Sequence, residues 1–232
     1  MKTLFVSGSD TEVGKTWISC QILRDLRKNS HRVGAWKPVC SGAVEQHGRL
    51  VWEDVRLLAE AIGGDSNNPD LIQRICAQRF EAPVAPNIAA RLEGRVVSDE
   101  TLINGLRAWD GHADLVLAEG AGGLLSPASD GMLVADLAQK LNAPLLLVAA
   151  NRLGTIHQTL VTVEAAQTRG LKVIAVVLNQ IAEDLDPVLQ RANESELKRL
   201  LPNIPLLSVP HSGEITSRIS EVDVADWFQA GA

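Results

Sequence analysis

Nine residues near the amino end constrain this chain more than any other feature. Gly8-Ser9-Asp10-Thr11-Glu12-Val13-Gly14-Lys15-Thr16 follows an apolar run at residues 3–7 and opens a helical pattern at 15–28. A glycine-framed loop between a strand and a helix, closed by Gly-Lys-Thr, is the setting of a phosphate loop. Small residues let the backbone curl until several N–H groups aim at phosphate oxygens, and the helix start adds the positive end of its dipole. Lys15 can reach the β- and γ-phosphates, and the Thr16 hydroxyl can ligate Mg²⁺. Five residues separate Gly8 from Gly14, one more than the general pattern has.

The remainder of the chain repeats the same alternation. Apolar runs at residues 3–7, 33–36, 115–119, 145–150, 173–179 and 206–209 lack a clean apolar/polar alternation, which predicts strands buried on both faces. Helical patterns at 15–28, 52–62, 98–109, 133–141, 155–169 and 185–201 lie between them. Ser98 followed by Asp99 and Glu100 forms an N-cap with an acidic first turn. Strand then helix, repeated, predicts an α/β fold of phosphate-loop NTPase type: a doubly wound, mostly parallel sheet with helices on both faces. Residues 1–232 are expected to form a single domain. The segments 63–70 and 81–86, where Gly, Asn and Pro cluster, read as surface loops within it.

Composition removes several classes of function. The 22 Lys and Arg against 28 Asp and Glu give a net charge of −6, without the electrostatic footprint of a nucleic-acid binder. Cys20, Cys40 and Cys76 show no CxxC spacing, so neither a zinc knuckle nor a disulfide framework is expected. Buried free thiols in a reducing cytosol are the expectation. The longest all-apolar stretch, residues 143–150, has eight residues and includes Pro144. A membrane helix needs about 20. No membrane association and a cytoplasmic location are therefore expected.

Other residues carry chemistry by position. Glu119 closes the run 115–119 ahead of Gly120-Ala121-Gly122-Gly123, at the carboxyl edge of the sheet where ligands bind in such folds. It reads either as a ligand for a hard cation or as a plain strand-end acid. Asp54 opens a helix, where an acid also complements the dipole. Lys37, after the run 33–36 and before Pro38, reads as a solvated strand-end lysine or a site cation, with Ser41-Gly42 close behind. Asn179 ends the run 173–179, where its amide can pair with a base edge or start a turn. Of the five histidines only His157, just after Gly154-Thr155, stands near a helix start.

Taken together these residues resemble the dethiobiotin synthetase family. The loop is very similar to that family's Gly-Thr-Asp-Thr-x-Val-Gly-Lys-Thr, five-residue spacing included. The resemblance continues through Trp36-Lys37-Pro38-Val39-x-Ser41-Gly42, Asp54, Ala82-Pro83-Val84-Ala85-Pro86, Glu119-Gly120-Ala121-Gly122-Gly123, residues 151–158, Asn179 and Val209-Pro210. It implies ATP as co-substrate and Mg²⁺ held by Thr16, Asp54 and Glu119. Glu12, Val13, Gly14, Lys15, Thr16 and Trp17 would wrap the ATP phosphates, beside Gly120, Ala121 and Gly122. Asn179 with Gln180, and the turn Pro210-His211-Ser212, would cradle the adenine. Lys37, Lys15 and Thr11 would be catalytic, with Lys37 and Ser41 facing the substrate nitrogens. Thr155 and His157 would meet the substrate carboxylate from the neighbouring subunit of a homodimer. Ser9 departs from the family's Thr, His157 from an Asn that can occur there, and no aromatic accompanies His211.

The implied reaction joins 7,8-diaminononanoate and carbon dioxide through a carbamate and a carbamic-phosphoric anhydride, closing the ureido ring of dethiobiotin. The alternative is a dimeric regulatory ATPase of the partition or division-site type, which has a related loop. Such proteins carry an additional lysine early in the loop, where this chain has Ser9-Asp10-Thr11.

Overall fold

The computed structural model describes residues 1–184, 186–211 and 224–228. Six parallel strands form the central sheet: β1 (Lys2–Gly8), β2 (Val33–Trp36), β7 (Leu115–Gly123), β8 (Leu145–Ala150), β9 (Val173–Asn179) and β10 (Leu206–Val209). Their spatial order is β10-β9-β8-β1-β7-β2. The chain first fills one side of β1, with β2 and then β7, and next the other side, from β8 to β10. Such a reversal opens a crevice at the carboxyl ends of the central strands.

Both faces of the sheet are covered, as the unalternating runs predict. On β8, Leu146, Val148 and Ala150 join the main core, which runs under α1 (Lys15–Lys28). Leu147 and Ala149, on the opposite face, pack with Val163 of α7 (Thr155–Thr168) and Leu197 of α8 (Pro187–Leu200). Among the described residues, no helix is long and apolar enough to cross a membrane.

The remaining elements lie in the connections between these strands and after the last of them. A short pair, β3 (Cys40–Ser41) with β6 (Arg79–Phe80), and a hairpin, β4 (Val44–Gln46) with β5 (Arg49–Val51), follow β2. Then come α2 (Glu53–Ala61), α3 (Pro69–Ile75), α4 (Pro86–Leu92) and α5 (Asp99–Asn104), with α6 (Val134–Leu141) after β7 and a last turn, α9 (Val224–Trp227). Ser98 caps α5 as expected, accepting the Thr101 N–H at 3.1 Å. The helix expected across 98–109 changes to a 3₁₀ turn at Gly105–Trp109. A Cβ at Gly105 would sit 3.1 Å from the Trp36 indole, so the tighter turn lets the chain pass close to β2.

Two sequence expectations change here. The segment 63–70 is a loop only as far as Asn68, whose side chain caps α3 by accepting from Asp70 N and Leu71 N, with Pro69 at the first helical position. The strand expected at 115–119 runs on to Gly123, so Glu119 lies within β7, opposite Val6 of β1, and is not a strand-end acid.

Candidate active site

The loop between β1 and α1 wraps the carboxyl end of β1. Gly14 adopts φ +85°, and a Cβ there would fall 2.2 Å from the Asn179 amide nitrogen, so only glycine lets β9 approach this closely,. Glu12 also takes a left-handed conformation, φ 55°. No side chain caps the start of α1, which leaves its first N–H groups free for an anion.

At the base of this loop four side chains from four elements converge. The Thr16 Oγ1 lies 2.9 Å from Asp54 Oδ1 and 2.8 Å from Glu119 Oε1. The Lys37 ammonium, just beyond β2, donates to Asp54 Oδ2 at 2.7 Å and to Glu119 Oε1 at 2.6 Å. Lys37 and Glu119 are buried, while the Asp54 side chain is 40% exposed. Burial alone would lower the Lys37 pKa, but Asp54 and then Glu119 outweigh it and hold the ammonium well above its ordinary value. The Lys37 charge in turn lowers the Asp54 pKa. Lys15 donates to the Asp10 carbonyl at 3.1 Å. Burial, and next the neighbouring Lys37 charge, lower the Lys15 pKa to about 8.

This cluster suits a hard cation such as Mg²⁺. One hydroxyl proton on Thr16 lies between two carboxylate oxygens and can serve only one of them at a time. The Glu119 Oε2 is buried with no hydrogen-bond partner among the described residues. A hydroxyl and two carboxylates offering more acceptors than donors are the oxygen ligands such an ion takes alongside phosphates and water. Among the described residues no group of three or more His, Cys, Asp or Glu that could hold a metal ion is present; the cluster here has two carboxylates and a hydroxyl. The three cysteines are free and buried. Burial pushes the Cys20 thiol up to about 12 and the Cys40 thiol up to about 11, so neither is a nucleophile.

One cavity adjoins the cluster and a second lies on the other side of the loop, at Glu12, Gly14 and Trp17. The larger, about 730 Å³, is walled by Thr11, Lys37, Ser41, Val84, Ala121 and Gly122 among others. Ser41 donates its hydroxyl to the Val84 carbonyl at 2.6 Å. Gly120 is buried behind this wall, where a Cβ would meet Val134 at 2.7 Å. The smaller, about 330 Å³, is walled by Glu12, Gly14, Trp17, Asn179, Gln180 and His211 among others. Trp17 is 44% exposed and borders both cavities. Asn179 donates to the Val13 carbonyl at 3.0 Å and Gln180 to the Ala182 carbonyl at 3.0 Å. A carbonyl partner on each amide nitrogen orients the side chain and leaves its oxygen as an acceptor,. Val13 itself is core, and Pro210 adjoins His211 without lining the cavity. Ser212 lies outside the described residues.

Thr155 and His157 stand apart from these cavities. Thr155 is fully buried at the start of α7, its hydroxyl without a partner among the described residues, whereas His157 is exposed. Their segment touches the phosphate loop through Asp10, whose Oδ2 accepts from Arg152 and Gln158, each at 3.3 Å. Asp10 also accepts the Thr11 N–H at 2.7 Å. Asp10 thus joins the loop to the segment, a role that no local pattern around it states.

Comparison with known proteins now adds to the geometry. The cell division ATPase MinD of Pyrococcus furiosus superposes with a TM-score of 0.56 at 14% identity, covering 98% of this chain and 95% of its own. A ParA family ATPase from Chlorobium tepidum superposes with a TM-score of 0.54 at 10% identity, covering 99% of each chain. Likeness at that identity shows the fold alone, and the fold is that of the phosphate-loop NTPases. A family model described as an AAA domain matches residues 2–218. The ATP-dependent dethiobiotin synthetase of Anaeromyxobacter sp. strain Fw109-5 is 39% identical over 218 residues, 94% of each chain. The enzyme of the same name from Phenylobacterium zucineum is 39% identical over 216 residues, 92% of this chain and 90% of its own. The chain belongs to the family of ATP-dependent dethiobiotin synthetases.

Proposed function

We propose that this protein is an ATP-dependent ligase that makes dethiobiotin from 7,8-diaminononanoate, carbon dioxide and ATP. The observation that best supports this reading is the convergence of Lys15, Thr16, Lys37, Asp54 and Glu119 beneath a phosphate loop, beside a cavity of about 730 Å³. The whole chain acts as one synthetase domain, in a cytoplasmic homodimer.

Carbon dioxide adds to one substrate amine as a carbamate. A carbamate oxygen takes the γ-phosphoryl of ATP, giving a carbamic-phosphoric anhydride and ADP. The second amine attacks the carbonyl carbon, phosphate leaves, and the ureido ring closes. No protein nucleophile is needed. The protein's work is to bring two anions together and to neutralise charge as it develops. Lys15 and the N–H groups of residues 12–17 hold the phosphates, and Thr11 contacts the transferring group. Lys37 faces the carbamate, with Ser41 at the reacting nitrogens. Thr16, Asp54 and Glu119 hold Mg²⁺, which when bound neutralises phosphate charge.

The adenine occupies the smaller cavity, its exocyclic amino group donating to the Asn179 and Gln180 oxygens and its face against Trp17, with His211 and Ser212 at the rim. His157 of the partner subunit meets the substrate carboxylate. The deep burial of Thr155 leaves that residue as the support of the segment rather than its contact. Purified protein with the diamine, bicarbonate, Mg²⁺ and ATP is expected to yield dethiobiotin and phosphate together. ATP hydrolysis without ring closure would overturn the reading.

A further inference from the structure

The arrangement around Lys37 bears on how a metal ion reaches this site. Its ammonium contacts the same two carboxylates that, with Thr16, offer the hard-oxygen set, at 2.7 Å and 2.6 Å. It shares Glu119 Oε1 with the Thr16 hydroxyl. Lys37 is buried at the wall of the larger cavity, so the carboxylates rather than solvent hold its charge. In charge, Lys37 and the adjacent Lys15 balance Asp54 and Glu119. A free divalent ion would add two uncompensated positive charges in a partly buried place, whereas an ion carried by a triphosphate brings its own countercharge.

We infer that Lys37 is the resident counter-cation of the metal site, and that a divalent ion enters only in company with a nucleotide. The inference rests on reading Thr16, Asp54 and Glu119 as the metal-holding residues, and adds an order of binding to that reading. An ion drawing on Asp54 and Glu119 repels the Lys37 ammonium and competes with it for the charge of the same two carboxylates. Its arrival therefore loosens the ammonium beside the larger cavity, where Lys37 forms part of the wall. The lysine is thus released to meet an anionic substrate only when the nucleotide is in place.

Mn²⁺ binding, followed by electron paramagnetic resonance, separates the inference from the reading beneath it. With ADP present, wild-type protein is expected to bind one Mn²⁺. If it does not, the metal reading itself fails. Without nucleotide, wild type is expected to bind at least about tenfold more weakly than Lys37→Gln, because removing the ammonium leaves one carboxylate charge uncompensated. Equal affinities overturn the inference. The site gained in Lys37→Gln must disappear on adding Asp54→Asn, and a gain that survives that change overturns it as well. Should Lys37→Gln fail to fold, ¹⁵N-lysine resonance of the wild type decides the matter. The protected Lys37 ammonium signal should persist in Mg²⁺ alone and shift with Mg²⁺ and ADP together. A shift with Mg²⁺ alone, or none with both, overturns the inference.

Discussion

The phosphate loop and the segment at residues 151–158 leave the carboxyl ends of neighbouring strands, β1 and β8, yet they are built on opposite plans. The loop stands over a buried network in which Thr16, Lys37, Asp54 and Glu119 meet at 2.6–2.9 Å. The segment is anchored at its base, where Asn193 donates to Asn151 Oδ1 at 2.9 Å. Its tip turns outward, with Leu153 85% exposed and His157 exposed. Charges under the loop find their partners inside the protomer, so that region is complete as folded. Arg152 and Gln158 bond Asp10 within the protomer, while Leu153 and His157 project outward, where the proposed second subunit would meet them. If that contrast is real, changes under the loop should act within one subunit and be large, and changes on the segment should act across subunits and be small in stability.

The largest expected effect tests the buried half. Glu119→Gln leaves the Lys37 ammonium buried beside one partly exposed carboxylate, and loss of one partner from a buried pair costs about 3–5 kcal/mol. Asp54→Asn removes a partner that is 40% exposed, and there the loss is about 1.5–3 kcal/mol, that of a hydrogen bond to a charged group. Urea unfolding of the nucleotide-free variants measures both, and equal losses would contradict the asymmetry of the network. Next comes Lys15→Ala, expected to lower turnover on the order of 10²-fold or more, the usual cost of removing a preorganised charge from a developing anion. Because Lys15 faces the like charge of Lys37, this variant should melt no lower than wild type. A marked drop in its melting temperature would show that Lys15 supports the fold instead.

Much of this architecture was legible in the sequence, and the exceptions share a cause. All six central strands appear where the apolar runs put them, because a strand buried on both faces needs an unbroken apolar run. The end of β7 was not legible, since Gly120-Ala121-Gly122-Gly123 reads locally as a turn, while the strand passes through an irregularity there, with Gly122 at φ +71°, and pairs with β1 again at Gly123. The start of α3 is written in Asn68-Pro69, a capping side chain and a helix-opening proline inside a stretch whose composition is otherwise that of a loop. In the site, the loop and Lys37 could be picked out by position. Their contacts could not, because Lys37 and Glu119 are 82 residues apart and their meeting is a property of strand order. The burial of Thr155 likewise depends on how α7 lies against the sheet, which no local pattern states.

An effect of intermediate size comes from Lys15. In the nucleotide-free and metal-free protein its pKa is lowered to about 8 by burial and by Lys37. Between that value and the ordinary lysine range, the unfolded chain holds more protons at Lys15 than the folded protein does. The Lys15 contribution to stability therefore rises with pH through this window. Triphosphate binding runs the other way, since the anion favours the charged ammonium. Affinity for ATP should fall above about pH 8, by up to about tenfold per pH unit, with proton uptake on binding. Calorimetry in buffers of differing ionisation enthalpy measures that uptake. Lys15→Gln should abolish both the slope and the uptake, and a slope that persists belongs to another group.

The smallest effects in stability belong to the segment, and they probe the contrast most directly. Arg152→Ala removes one half-exposed contact at 3.3 Å with Asp10, and such a pair is worth about 1 kcal/mol or less. His157→Glu changes an exposed side chain and should leave the melting temperature unchanged, while placing an anion where the substrate carboxylate is proposed to lie. If residue 157 serves the partner's site, Lys37→Ala and His157→Glu disable different subunits' contributions to one site. A mixed dimer then keeps one site built from the sound loop of one subunit and the sound segment of the other. Random reassociation of equal amounts makes half the dimers mixed, so activity should return to about a quarter of the wild-type level. If residue 157 instead serves its own subunit, every site in every dimer carries a defect and no activity returns. Activity of the mixture against that of each variant alone thus decides whether the outward segment completes a neighbour's site.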